Sequence, residues 1–247
     1  MNHREWQFLS ATERTWRDAS SLPLSYLLKS LAIKLRRRLW GWYGDRDRRL
    51  VWTPYALTEA DGPTLVVRTY LEHAAVRTIL SGLPLRRACE LGCGYGRMTM
   101  VLQEFAPYVK GFEREAHLVD IARALLPQLH FEQTSDLALV QDSERYDLVM
   151  TFTALQHLTD ADARRVCDRM KQLAPGGYLL CVEKTESINV TAQHTDGGRF
   201  ISRARPVTTY EEYLYPFRLI ATVPRPAEPG AEQALPGLCM LFRASAG

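Results

Sequence analysis

Between residues 85 and 185 the apolar positions switch repeatedly between two periods. Short apolar runs at Arg87–Leu91, Val109–Glu113, His130–Gln133, Tyr146–Thr153 and Tyr178–Glu183 predict strands. The segments between them, Met98–Phe105, Glu115–Leu125 and Asp160–Leu173, carry helical spacing, the last with an N-cap in Thr159 or Asp160. So regular a β-α-β alternation implies a parallel sheet covered by helices on both faces. Upstream, Leu24, Leu27, Leu28, Leu31 and Leu35 recur at spacings of three and four and predict an amphipathic helix. Residues 52–62 read as a loop ending in the turn signal Asp61-Gly62-Pro63, and Thr64–Leu80 as a helix. Downstream, the segment around Tyr210 and Tyr213 predicts a short capped helix whose tyrosines pack inward. Phe217–Val223 and Leu238–Phe242 predict two strands joined by a Pro-rich loop, an antiparallel hairpin closing the sheet edge. The expected organisation is a helical cap over residues 1–70 and an α/β domain over 71–247.

Composition adds bounds. The 247 residues are 46% hydrophobic and 24% charged, enough to bury a core without staples. Five scattered cysteines, with no C-x-x-C spacing, point to thiols rather than disulfides or a zinc site. The opening residues lack a signal-peptide pattern, and the apolar stretch Leu22–Ile33 is interrupted by Ser25, Lys29 and Ser30, so a cytoplasmic protein is expected. The net charge of +3 hides an asymmetry: residues 1–50 carry eleven Lys/Arg against five Asp/Glu, a net of +6. The basic run Lys34–Arg49, with Trp40, Trp42 and Tyr43, reads as a solvated helix face, a lid over an acidic ligand, or a contact with a membrane surface or nucleic acid. It lacks the extended basic surface of a dedicated nucleic-acid module.

The chemistry concentrates in Ala88-Cys-Glu-Leu-Gly-Cys-Gly-Tyr-Gly-Arg97, where a strand, a glycine turn and a helix follow directly. In a doubly wound sheet the ligand sits at the carboxyl ends of the strands, and glycines there let the backbone approach it. Gly92, Gly94 and Gly96 form G-x-G-x-G. The dinucleotide fingerprint would need Gly at position 97, which is Arg, and a P-loop would need Gly-Lys-Ser/Thr. Glu90 also opposes a phosphate by repulsion but suits a cationic ligand. Glu113, 21 residues after Gly92, stands where an acid accepts ribose hydroxyls.

With these residues the chain resembles the class I S-adenosylmethionine-dependent methyltransferases. Glu90–Gly96 is similar to the family's first motif and Glu113 to its ribose acid. Phe131–Asp136 resembles the segment holding the adenine-binding acid, Asp147–Leu158 the fourth strand and its following turn, and Leu173–Leu179 the lead-in to strand five. The resemblance implies a three-layer Rossmann-like sandwich with a mostly parallel seven-stranded sheet and an antiparallel last strand. It implies S-adenosylmethionine as cofactor and S-adenosylhomocysteine as product. Gly92, Cys93, Gly94 and Gly96 would line the methionine part, Glu90 would orient the turn, and Glu113 with adjacent Arg114 would meet the ribose. Phe152 and Gln156 would lie near the cofactor and the acceptor pocket. The family's usual adenine acid falls at Ser135, with Asp136 one residue on, so either residue takes that contact.

Methyl transfer mainly requires alignment and exclusion of water, with a base only where the acceptor must lose a proton. His157 and His194 are the candidate catalytic residues; the competing reading of each is structural. Glu183, His194, Arg199 and Arg203, in the polar segment after strand five, could bind or deprotonate an acidic or hydroxylated acceptor, or form a solvated surface loop. Some quinone-pathway O-methyltransferases carry an E-x-x-E-H metal pattern at the first position, but Thr153 and Gln156 replace its acids, so no metal is expected. The acceptor expected is a small molecule, methylated at oxygen or nitrogen. The alternatives are a macromolecular acceptor (RNA, protein or membrane lipid) docked by the basic segment, or a non-catalytic S-adenosylmethionine-binding protein.

Overall fold

The computed structural model describes residues 62–186, 193–195, 201–226 and 237–245. The chain divides into two units between Val67 and Arg68; the fold is that of the second. The leucine-spaced helix, the run Lys34–Arg49, the expected cap up to residue 61 and Arg199 lie outside the described residues.

The helix α1 (Gly62–Leu80) leads into β1 (Arg87–Leu91), α2 (Thr99–Leu102), β2 (Tyr108–Glu113), α3 (Ala116–Leu125), β3 (His130–Gln133), β4 (Leu148–Phe152), α4 (Asp160–Leu173) and β5 (Tyr178–Glu186). A two-stranded ribbon, β6 (Gln193–Thr195) with β7 (Ile201–Arg203), precedes β8 (Arg205–Pro206), α5 (Val207–Leu214), β9 (Arg218–Arg225) and β10 (Gly237–Arg243). The main sheet runs β3-β2-β1-β4-β5-β10-β9, with β8 pairing in parallel beside the end of β5. Its first five strands are parallel, while β10 runs antiparallel to both neighbours. This is the mixed seven-strand order the resemblance implies.

Every residue of β4 is buried, as a central parallel strand covered on both faces requires. Alternate residues face opposite layers. Cys89, Leu91, Phe112, Val149, Leu179 and Cys181 join one core with Ala163, Val166, Cys167, Met170 and Leu173 of α4 and Tyr210, Tyr213 and Leu214 of α5. Glu90, on the other face, bonds to Thr99 of α2, and Arg97 beside it bonds to α1. Helices therefore cover both faces. All five cysteines are free and buried, and no helix among the described residues is long and apolar enough to cross a membrane.

The predicted hairpin is present, but its second strand inserts between β5 and the first. The burial of each strand gives the reason. Residues of β10 are mostly buried, whereas those of β9 alternate between exposed and half-buried, which suits the edge. Two further elements differ from expectation. The helix predicted over Met98–Phe105 shrinks to one α-helical turn, Thr99–Leu102, followed by irregular turns. The cap predicted for α5 is absent: the helix starts at Val207, and its N-cap is Pro206, which is extended and supplies no side-chain cap. Thr159 is the N-cap of α4 and accepts from Asp162 N.

Candidate active site

The strand order reverses between β1 and β4, so their carboxyl ends define the crevice. After Leu91 the chain turns through Gly92, Gly94 and Gly96, all with positive φ (80°, 56° and 87°). The turn is pinned to β2, since Gly92 N and Cys93 N both donate to Phe112 O at 2.8 and 3.1 Å. A Cβ at Gly92 would meet Ala154 Cβ at 2.9 Å, and one at Gly96 would meet Leu126 and Phe131 at 2.8 Å. At Gly94, in contrast, a Cβ would meet nothing within 4 Å among the described residues. Close protein packing thus explains two glycines, while the third borders open space.

Two acids flank the turn in different ways. Glu90 is 1% exposed, and Thr99 Oγ1 donates to its Oε2 at 2.5 Å. Burial pushes its carboxyl up to about 8, against the opposing pull of Thr99 and Arg97. It is therefore mostly protonated near neutrality, which corrects the expectation that its charge repels a phosphate. Its part is to hold the turn through α2. The carboxylate of Glu113 accepts Gly94 N at 2.8 Å on Oε2, and Arg114 N and Glu115 N at 2.6 and 3.1 Å on Oε1. It thereby ties the end of β2 to the glycine turn and keeps acceptor capacity on Oε2. Arg114 itself is exposed. The thiol of Cys93 is buried, packed within 2.7 Å of where a Gly111 Cβ would stand, so only the Cys93 main chain borders the turn's outer side.

On the β3 side, Ser135 is exposed, whereas Asp136 is occupied: Oδ1 accepts Ala138 N at 2.9 Å and Oδ2 accepts Arg165 Nη2 at 2.7 Å. At the end of β4, Thr153 adopts φ 53°, unusual for a β-branched residue. A 3₁₀ turn, Leu155–His157, follows. Fully buried Glu183 caps it, accepting Leu155 N and Gln156 N at 3.1 and 3.0 Å. Burial raises the Glu183 carboxyl to about 7, with those two amides opposing. Arg205, also buried, clamps the turn from its far end by donating to Leu155 O, Leu158 O and Asp160 at 2.8, 2.7 and 2.9 Å. Glu183 is thus engaged in structure rather than facing an acceptor. The amide of Gln156 is likewise consumed, its Oε1 accepting Lys184 N at 3.3 Å and its Nε2 lying 3.1 Å from His157 Nε2.

His157 is half-buried on this turn. His194 is on β6, in register with Ser202 of β7, and its side chain lies outside the described residues; β7 runs beside the 3₁₀ turn. Arg203 pairs with Asp160 at 3.4 Å. The Phe152 ring is buried and has two guanidiniums over it, Arg97 at 5.4 Å and Arg225 at 5.7 Å from its centroid. Both arginines bond to buried Glu72 of α1. The sequence reading missed Glu72, Thr99, Arg205 and Arg225. Only the i,i+4 spacing of Arg68 and Glu72 was a signal, since Arg225 lies 153 residues beyond Glu72. Among the residues whose side chains are described, no group of three or more His, Cys, Asp or Glu is placed to hold a metal.

Comparison with known proteins agrees with this geometry. Residues 88–177 match the methyltransferase-domain family. A trans-aconitate 2-methyltransferase of Rhizobium leguminosarum is 35% identical over 109 residues, 42% of this chain and 41% of that protein. An alpha N-terminal protein methyltransferase 1 of Drosophila melanogaster is 30% identical over 150 residues, 56% of this chain and 53% of that one. The chain thus spans about half the length, or less, of these curated relatives. A glycopeptide N-methyltransferase solved with S-adenosylmethionine superposes with a TM-score of 0.55 at 16% identity, covering 70% of this chain and 87% of that one. The glycine turn, the acid ending β2 and strands β2 to β4 all fall inside the matched segment, so residues 88–177 form a methyltransferase domain on a class I fold.

Proposed function

We propose that the protein transfers a methyl group from S-adenosylmethionine to an oxygen or nitrogen of a small-molecule acceptor. The observation that carries this reading is the left-handed Gly94, bordered by open space and bonded through its N–H to Glu113. The residues fit the cofactor. Gly94 lets the main chain approach a ligand, Glu113 Oε2 has capacity for ribose hydroxyls, and exposed Ser135 lies on the β3 side for adenine, Asp136 being engaged by Ala138 N and Arg165. When bound, the cofactor supplies an electrophilic methyl on a sulfonium.

The chain's own part is to orient and enclose. Glu90 and Thr99 hold the turn, and Glu183 and Arg205 hold the segment after β4 from its two ends. Phe152 walls the crevice with an apolar face. His157 and His194 are the proposed proton acceptors where the acceptor must be deprotonated. Calorimetric titration with S-adenosylmethionine and S-adenosylhomocysteine, followed by a product-release assay over candidate acceptors, tests the reading; binding of neither ligand rejects it. A macromolecular acceptor is the second reading, favoured by the net +6 of residues 1–50. It predicts binding to RNA or anionic vesicles that falls steeply with salt.

A further inference from the structure

We propose that Arg97 and Arg225, gathered on Glu72 beside Phe152, form a receptor for a carboxylate of the acceptor, which makes the acceptor an anionic small molecule. The proposal rests on the methyl-transfer reading and names its acceptor class.

The charge balance is the first argument. Glu72 is 1% exposed and accepts from Arg97 Nη1 at 2.6 Å, Arg225 Nε at 3.1 Å and Arg68 Nε at 3.3 Å. Buried charges are ordinarily compensated, because an unbalanced charge away from water is costly. Arg68 has further interactions, so the surplus is counted on the other two alone. Two guanidiniums, with side chains only 12% and 9% exposed, share one carboxylate. A surplus of positive charge this sheltered calls for an anion.

The unused donors are the second argument. Arg97 engages Glu72 and Thr69 through Nη1, and Arg225 engages Glu72 through Nε. Neither Arg97 Nη2 nor either Nη of Arg225 makes a hydrogen bond among the described residues. A planar guanidinium with its outer edge unclaimed presents the fork that a carboxylate bridges.

Both arginines also stand at the crevice. Arg97 leaves the glycine turn directly, and both cations lie over the ring of Phe152, the last residue of β4. The receptor therefore borders the crevice where the methyl group would be presented. It is also held in place. His73 Nε2 lies 2.9 Å from Arg97 O, and the Arg225 stem packs against Gly237, where a Cβ would come within 2.9 Å of Cδ. Burial alone would raise the Glu72 carboxyl, but Arg97, Arg68 and Arg225 hold it at about 2, so the anchor stays charged at any working pH.

The test is calorimetry of the full chain with tricarballylate, a saturated tricarboxylate, and with its uncharged triamide, each with and without S-adenosylhomocysteine. Tricarballylate binds and the triamide does not. Arg225→Gln weakens tricarballylate at least tenfold while leaving S-adenosylhomocysteine affinity unchanged. Arg225→Lys, which keeps the charge and loses the fork, gives an intermediate loss and guards against misfolding of the first variant. Glu72→Gln removes the competing carboxylate and tightens tricarballylate. Equal binding of the triamide, or unaltered tricarballylate affinity in both Arg225 variants, overturns the receptor and leaves methyl transfer standing. Tricarballylate binding through Arg225 with no S-adenosylhomocysteine binding upholds the receptor and removes the methyl-transfer reading.

Discussion

Replacing Glu90 by glutamine isolates what it costs this fold to ionise a carboxyl at the tip of β1. The side chain is 1% exposed, and its pKa rises from 4.5 to about 8 on folding, chiefly through burial. A folded-state pKa above the unfolded one gives stability that is complete below about 4.5 and is lost as pH rises towards about 8. Each pH unit within that window is worth about 1.4 kcal/mol. The glutamine side chain cannot titrate, yet its amide oxygen still accepts from Thr99 Oγ1, so the local geometry is kept. Between about pH 5.5 and about pH 7.5 the Glu90→Gln variant should gain on the wild type by about 2–3 kcal/mol. Urea unfolding of both proteins at each pH reads this difference, in which shared titrations such as Glu183 cancel. A stability difference that stays flat across the window would refute the reasoning: Glu90 would then be hydrated or paired, not buried and neutral.

Four further outcomes follow from the same geometry. Gly96→Ala combines φ 87° with a Cβ 2.8 Å from Leu126 and Phe131, and should cost about 2–4 kcal/mol in denaturant unfolding. Gly94→Ala meets no atom of the described residues, so it should cost only the left-handed strain of about 1–2 kcal/mol yet abolish S-adenosylhomocysteine binding by calorimetry. Wild-type binding would show that Gly94 does not face the cofactor. Glu113→Ala should weaken that ligand by about 1–3 kcal/mol, and a change of only a few tenths rejects the ribose contact. Arg205→Met leaves the carbonyls of Leu155 and Leu158 without their donor, while Asp160 keeps Arg203, and should destabilise by about 2–4 kcal/mol; a loss below about 1 kcal/mol removes it as the clamp of the post-β4 turn.

Local pattern was enough for most of the elements, though not for the length of α2, the cap of α5 or the β6–β7 ribbon. The bounds of β1, β3 and α4 coincide with those read from the sequence, because strand and helix periods are properties of neighbouring residues. The glycine turn and Glu113 were legible for the same reason: a strand, three spaced glycines and an acid at the end of the next strand are sequential features. What the chain order could not state was the partner of each side chain. The carboxyl of Glu90 looks charged in a sequence, and only burial in the folded sheet makes it a neutral donor-acceptor group. Gln156, Glu183 and Asp136 looked available to a ligand, but their polar atoms are spent on amides and an arginine brought from other strands. The insertion of β10 beside β5 depends on which strand can be buried on both faces, a comparison made across the sheet. Arg225 reaches Glu72 over 153 residues for the same reason. Periodicity is local, whereas desolvation and hydrogen-bond satisfaction are decided by whatever tertiary packing places within a few ångströms.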